Sequence, residues 1–280
     1  SKGEKVKVDK AIRPIIHRLT NHQNKHQLWS WWGNSENTSF WMSAHILRAL
    51  KMAQDAGYPV ELNLNGLKVE YAHTRPYRGM KLEDIEILHA LHEWKVEADY
   101  SSAVRLLEPF VRQLEQKEDS LANRNKYYRP LSYLKEKLLL WEIKQQVDSV
   151  NVGDSVRPYL KKDMLEGVYC DDGRRTYYWE GNQMINTLIA YRIIKNDPSL
   201  CKLKENMQLY ILRTKERGWN TYQASSAVAT VLTDLLAGSG GMSGTSVSVS
   251  GKDHQRITEF PYHARLTAGD SLLISKTGKE

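Results

Sequence analysis

The chain has 280 residues, 41% of them hydrophobic and 26% charged, which suits one large globular domain or one domain with part of a second. A mean hydropathy of −0.58 and the lack of any 18-residue apolar run exclude a membrane-spanning helix, and two cysteines exclude a disulfide scaffold. Lys and Arg number 40 against 33 Asp and Glu, but the densest basic stretches, residues 2–10 and 124–137, are broken by Glu4, Asp9 and Glu136, so the excess reads as a mixed-charge surface and no nucleic-acid partner is expected.

From about residue 6 to residue 237 the apolar residues recur at helical spacing. In 39–56 the residues Phe40, Ala44, Leu47, Leu50 and Ala53 form one stripe, and Gly57 follows as a stop. The stretch 82–98 repeats this with Ile85, Leu88, Leu91 and Val96. Further helices are predicted over 102–118, 133–147, 183–195, 200–217 and 221–237, with Gly, Pro, Asn and Asp clusters between them. About ten helices on short turns make an all-α array.

At Gly238 the texture changes. Residues 238–244 have the composition of a flexible linker. Residues 245–250 then alternate with period two, Gly251-Lys252 reads as a turn, and 271–275 reads as another strand. So short a β segment lacks a core of its own; it is read as the stub of an adjoining β-domain or as strands packed on the helices. The expected division is therefore a helical domain 1–237, a linker 238–244 and a β segment 245–280. The chain starts without Met and stops where a strand pattern reaches a turn, which reads as a piece of a longer protein.

An aromatic residue leading into a helix start rich in small residues occurs three times, at Phe40-Trp41-Met42-Ser43-Ala44, at Tyr178-Trp179 and at Trp219-Asn220-Thr221. Repeated helical hairpins of this kind build a solenoid or a closed α/α ring. Aromatic-rich turns favour the ring, where they plug one end.

Motifs for chemistry are few. His89, His92 and Glu93 approach a zincin pattern, but two ligands sharing a helical face need a spacing of four with the Glu between them; two half-exposed helical histidines are the expectation. His22 and His26 have that spacing and no third ligand. Cys170-Asp171-Asp172-Gly173 falls short of both a prenyltransferase zinc set and the acidic run of a protonating cyclase, and reads as a surface turn. Glu36 and Glu180 stand beside tryptophans, as glycosidase carboxylates do, with no spacing rule to pick them out. Cys201 reads as a buried structural thiol. No metal, cofactor or catalytic residue is assigned.

Trp29-Ser30-Trp31-Trp32-Gly33 followed by Phe40 to Leu50, Ala53 and Gly57-Tyr58 resembles the bacterial alpha-2-macroglobulin family, in its thioester-containing, complement-like domain. The segments Tyr178-Trp179 through Tyr191, Leu209 to Arg217 and Gly218 to Ala227 resemble the closing hairpins of the same domain, and the β segment resembles the strands that follow it. The resemblance implies a mainly α fold, an α/α toroid of helical hairpins like that of terpenoid cyclases and prenyltransferases, with a short C-terminal β segment. It implies a parent protein that inhibits proteases by trapping them, in the periplasm or at the cell surface, with target proteases and neighbouring domains of the same chain as partners. The family's Cys-x-Glu-Gln thioester is missing here: Gly173 stands three residues after Cys170, and Lys204 three after Cys201. Non-enzymatic trapping is thus the first reading; an α/α-ring enzyme on carbohydrate or isoprenoid substrates is the alternative, and a helical scaffold the third. Trp31, Trp32, Trp179 and Trp219 are the candidates for a contact surface at one end of the ring, with core packing at helix starts as their other possible role.

Overall fold

A computed structural model describes residues 2–32, 37–64, 79–176, 183–215, 218 and 221–238, together with strands at 246–250, 254–257 and 273–277. The chain divides into two compact units, Ser1–Val231 and Leu232–Glu280. It is mainly helical.

The first unit contains α1 (Lys2–Asn21), α2 (Phe40–Asp55), α3 (Leu82–Glu93), α4 (Tyr100–Arg124), α5 (Leu134–Val147), the single turn α6 (Gly153–Val156), α7 (Gln183–Ile194), α8 (Cys201–Thr214) and α9 (Thr221–Ala227), and α9 runs into a π-helical turn, Val228–Leu232. Local chemistry sets the ends of these helices. Ser39 caps α2 by accepting the Met42 amide at 3.3 Å. At its other end Gly57 sits at φ +90°, and the amides of Gly57 and Tyr58 fold back onto the carbonyls of Gln54 and Ala53. The same closing motif ends α3, with Lys95 at φ +54° and the Val96 amide on the Leu91 carbonyl. That ends α3 at Glu93, short of the residue 98 its apolar pattern reaches, and turns Val96 into the core. In contrast, α4 starts at an Asp99 cap and runs through Pro109 to Arg124, beyond the end of its apolar stripe.

Two kinds of helix result. In α3, α5 and α7 most residues are buried, including every position from Met184 to Tyr191. In α4 only one stripe is buried, chiefly Tyr100, Val104, Leu107 and Val111. Accordingly α2 packs on α3, α3 on α5, α5 on α7 and α7 on α9, while α4 covers α5 and α8 covers α7. A two-stranded hairpin that the sequence pattern did not announce, β1 (Leu160–Lys162) with β2 (Val168–Cys170), lays β2 against α7 and α8. Three residues per strand are too few for a readable period.

The second unit holds α10 (Thr233–Gly238) and an antiparallel sheet in the order β4–β3–β5, formed by β3 (Ser246–Ser250), β4 (His254–Ile257) and β5 (Leu273–Thr277). Val249 pairs with Gln255 on one side and Ile274 on the other. Among the described residues no helix is long and apolar enough to cross a membrane.

Candidate functional site

On the buried helices, a few charged residues interrupt apolar runs. Glu86, His89 and Glu93 lie at i, i+3 and i+7 of α3, and therefore on one face. Glu142 follows Leu138-Leu139-Leu140 on α5, and Arg192 sits between Tyr191 and Ile193 on α7. The packing brings them together with Arg48 of α2 and Lys135 of α5. Four of them, Arg48, Glu93, Lys135 and Arg192, line a cavity of about 180 Å³ whose wall takes residues from α2, α3, α5, α7, α9 and the π-helical turn, while Glu86, His89 and Glu142 lie behind that wall.

The ion pairs form two linked groups. Glu86 accepts from Arg48 Nη1 at 2.5 Å and pairs with Lys135 through its other oxygen. Glu142 accepts from Arg192 through both oxygens at 2.7 Å, and its Oε2 also stands 2.8 Å from His89 Nε2. The second ring nitrogen of His89 faces Glu93 Oε2 at 3.5 Å, and Glu93 in turn lies 3.9 Å from Arg48 Nε. At the cavity rim Lys51 pairs with Asp55.

Burial decides how these groups titrate, and their neighbours decide the sign. Burial opposes ionisation of Glu86 and Glu142. For Glu86 the charges of Lys135 and Arg48 outweigh it, and for Glu142 those of Arg192 and His89; both carboxyls stay well below the usual range. Burial alone would lower His89, but carboxylates at both ring nitrogens, Glu93 and Glu142, raise it. Its Nε2 is hydrogen-bonded to Glu142, while its Nδ1 faces Glu93 without a hydrogen bond. Glu136, next to Lys135 and also buried, goes the other way: burial pushes it up to about 7, Lys135 offsetting this only in part.

Buried charges are tolerated when each has a partner, and here nearly every one does. The link between the two groups is the looser part: His89 Nδ1 and Glu93 Oε2 are close enough for an ion pair, yet neither makes a hydrogen bond. Glu93 and the Lys51-bound Asp55 are the carboxylates among the described residues that line the cavity. Among the described residues no group of three His, Cys, Asp or Glu side chains is arranged to hold a metal ion.

His89 is only 2% exposed, against the expectation of a half-exposed residue, because its partners lie on neighbouring helices; His92 is half-buried, with its ring edge-on to Tyr100. The tryptophans separate by role. Trp29 is buried and donates from its indole to the Leu19 carbonyl at 2.8 Å. Trp31 and Trp32 are 60% and 88% exposed, and Trp31 stacks on Trp41 with ring centroids 5.5 Å apart. Core packing at this helix start is thus the work of Trp29. Trp179, Trp219, Glu36 and Glu180 lie outside the described residues.

The two cysteines exchange expectations. Cys201 is exposed, while Cys170 is buried at the end of β2, its thiol pushed up to about 12 chiefly by burial. Asp171 and Asp172 beside it do form a turn, their carboxylates accepting the amides of Gly173 and Arg174. Of the residues missed in the sequence, Glu86, Glu142 and Arg192 carried a usable signal, a charge set among apolar residues on a mostly buried helix; Arg48 lies on a helix with an exposed polar side and Lys135 in a charged run, Lys135-Glu136-Lys137, and neither stood out.

No family model, curated protein or solved structure matches the chain.

Proposed function

We propose that the chain is the helical toroid of an alpha-2-macroglobulin-like broad-range protease inhibitor, a non-catalytic trapping and contact module that meets target proteases and neighbouring domains of its parent in the periplasm or at the cell surface. One observation carries most of the weight. The cavity among α2, α3, α5, α7 and α9, where a ring enzyme would bind its substrate, is lined by Arg48, Lys135 and Arg192, whose charges are neutralised across helices by Glu86 and Glu142 behind its wall. A glycosidase there needs a second free carboxylate to work with Glu93, since acid and base roles fall to two groups. Glu86 and Glu142 are held ionised and fully engaged with cations, and neither is available for proton transfer. The exposed Trp31–Trp41 stack, with Trp32 beside it, supports a contact surface next to the segment that resembles the family.

The test uses the full-length protein that carries this chain. It is mixed with a protease, and activity is read on a small peptide and on a large protein substrate. Trapping predicts that the small substrate is still cleaved while the large one is spared. Equal cleavage of both rejects the reading. Intact mass after incubation with methylamine shows in addition whether the parent carries a thioester elsewhere, by covalent addition and a freed thiol.

A further inference from the structure

We propose that the groove between β2, the start of α7 and α8 binds an extended, uncharged peptide segment. The groove has a volume of about 520 Å³ and is lined by Asp171, Arg174, Gln183, Met184, Asn186 and Tyr210 among others. Asn186 is 3% exposed, yet its Oδ1 accepts no hydrogen bond. Arg174 gives one nitrogen to Asp119 at 2.9 Å, while its Nη1 is buried and donates to nothing. A buried donor or acceptor left unmatched is destabilising. One wall therefore keeps an acceptor and a donor in reserve, which defines a ligand bringing one of each.

Charge narrows the choice. Arg174 is balanced by Asp119, and Asp171 by Lys161 at 3.4 Å, with Gln183 donating to the same carboxylate at 3.0 Å. Among the described lining residues no charge is left over to attract an ion, which favours a neutral ligand. A peptide group supplies an N–H for Asn186 and a carbonyl for Arg174, and the unbranched thioether of Met184 adapts to varied side chains. Sugar hydroxyls could meet the same two atoms, but sugars are gripped against open aromatic faces. Tyr210 is 7% exposed and its ring is stacked on Tyr169 at 5.1 Å, which leaves no such face. This inference stands apart from the family reading: loss of protease trapping would leave it intact, and its own failure would leave trapping intact.

The chain is labelled with methyl-¹³C methionine, Met184 is assigned through Met184→Leu, and acetyl-Ala-Ala-Ala-amide is titrated to about 20 mM, since a few contacts of this kind hold at millimolar strength. The Met184 signal is expected to shift and saturate with the tripeptide and to ignore maltose. Asn186→Leu and, at the more exposed edge, Arg174→Gln are each expected to weaken the shift about fivefold or more, the worth of one hydrogen bond, with the other methionine signals unchanged as proof of folding. A flat response, an equal response to maltose, or a tripeptide shift that survives both substitutions overturns the proposal.

Discussion

Leu47 and Arg48 are neighbours on α2, and Glu86 and Ile87 are neighbours on α3, yet each pair divides between two different interiors. Leu47 and Ile87 belong to an apolar cluster with Leu50, Leu91, Ala90 and Trp29. Arg48 and Glu86 belong to the ionic centre. The apolar cluster is held by area removed from water, so its loss is graded with the carbon removed and indifferent to pH. The ionic centre is held by matched charges, so losing one group strands its partners, and pH acts on it from both sides.

The largest separation between the two comes from Glu142→Ala. It leaves the buried Arg192 and His89 facing each other, and urea unfolding at pH 7 should show a loss of about 3–5 kcal/mol. The folded carboxyl is depressed, so its contribution is present above the ordinary glutamate value and fades as pH falls through the folded one. The gap between variant and parent should therefore narrow in acid. Leu47→Ala, at a fully buried position, should cost about 2–5 kcal/mol, with the same penalty at pH 5 and pH 8. A penalty that tracks pH there would erase the distinction.

Two groups give the centre an alkaline limb as well. His89 is raised, so its contribution is complete below its unfolded value, near 6.5, and is lost as pH rises through the folded value. Glu136 is a carboxyl raised from 4.5 to about 7, so the folded chain holds its proton longer than the unfolded one, and stability declines as pH climbs between those values. Glu136→Gln should abolish that part of the decline and leave the variant less pH-sensitive than its parent; an unchanged slope from pH 4.5 to 7 would show that Glu136 is not the group responsible. The smallest effect is local: Ser39→Ala removes the α2 cap and should cost about 1 kcal/mol, independent of pH above 5.

How far the sequence revealed these two interiors follows from what signals each. The apolar one was legible: Phe40, Ala44, Leu47, Leu50 and Ala53 mark the inner stripe of α2, and Ser39 and Gly57 mark its ends within one residue. The end of α3 was not, because Lys95 takes the left-handed turn that a glycine would have announced. The later part of α4 lies beyond its apolar stripe, and a mostly exposed helix leaves little periodicity to read. The ionic centre escaped because nothing local marks its charges as paired, and the partners of Arg48 and His89 lie 38 and 53 residues away on other helices. Only packing shows that Glu142 meets both His89 and Arg192.

The ionic centre is held by charges that pair across helices, with His89 raised by the carboxylates that face it. The most direct measurement is a pH titration of the His89 ring ¹⁵N signals in the full chain. Titration above that of an ordinary histidine is the predicted result, because Glu93 and Glu142 face the ring. Titration below an ordinary histidine, as burial alone would give, would contradict it.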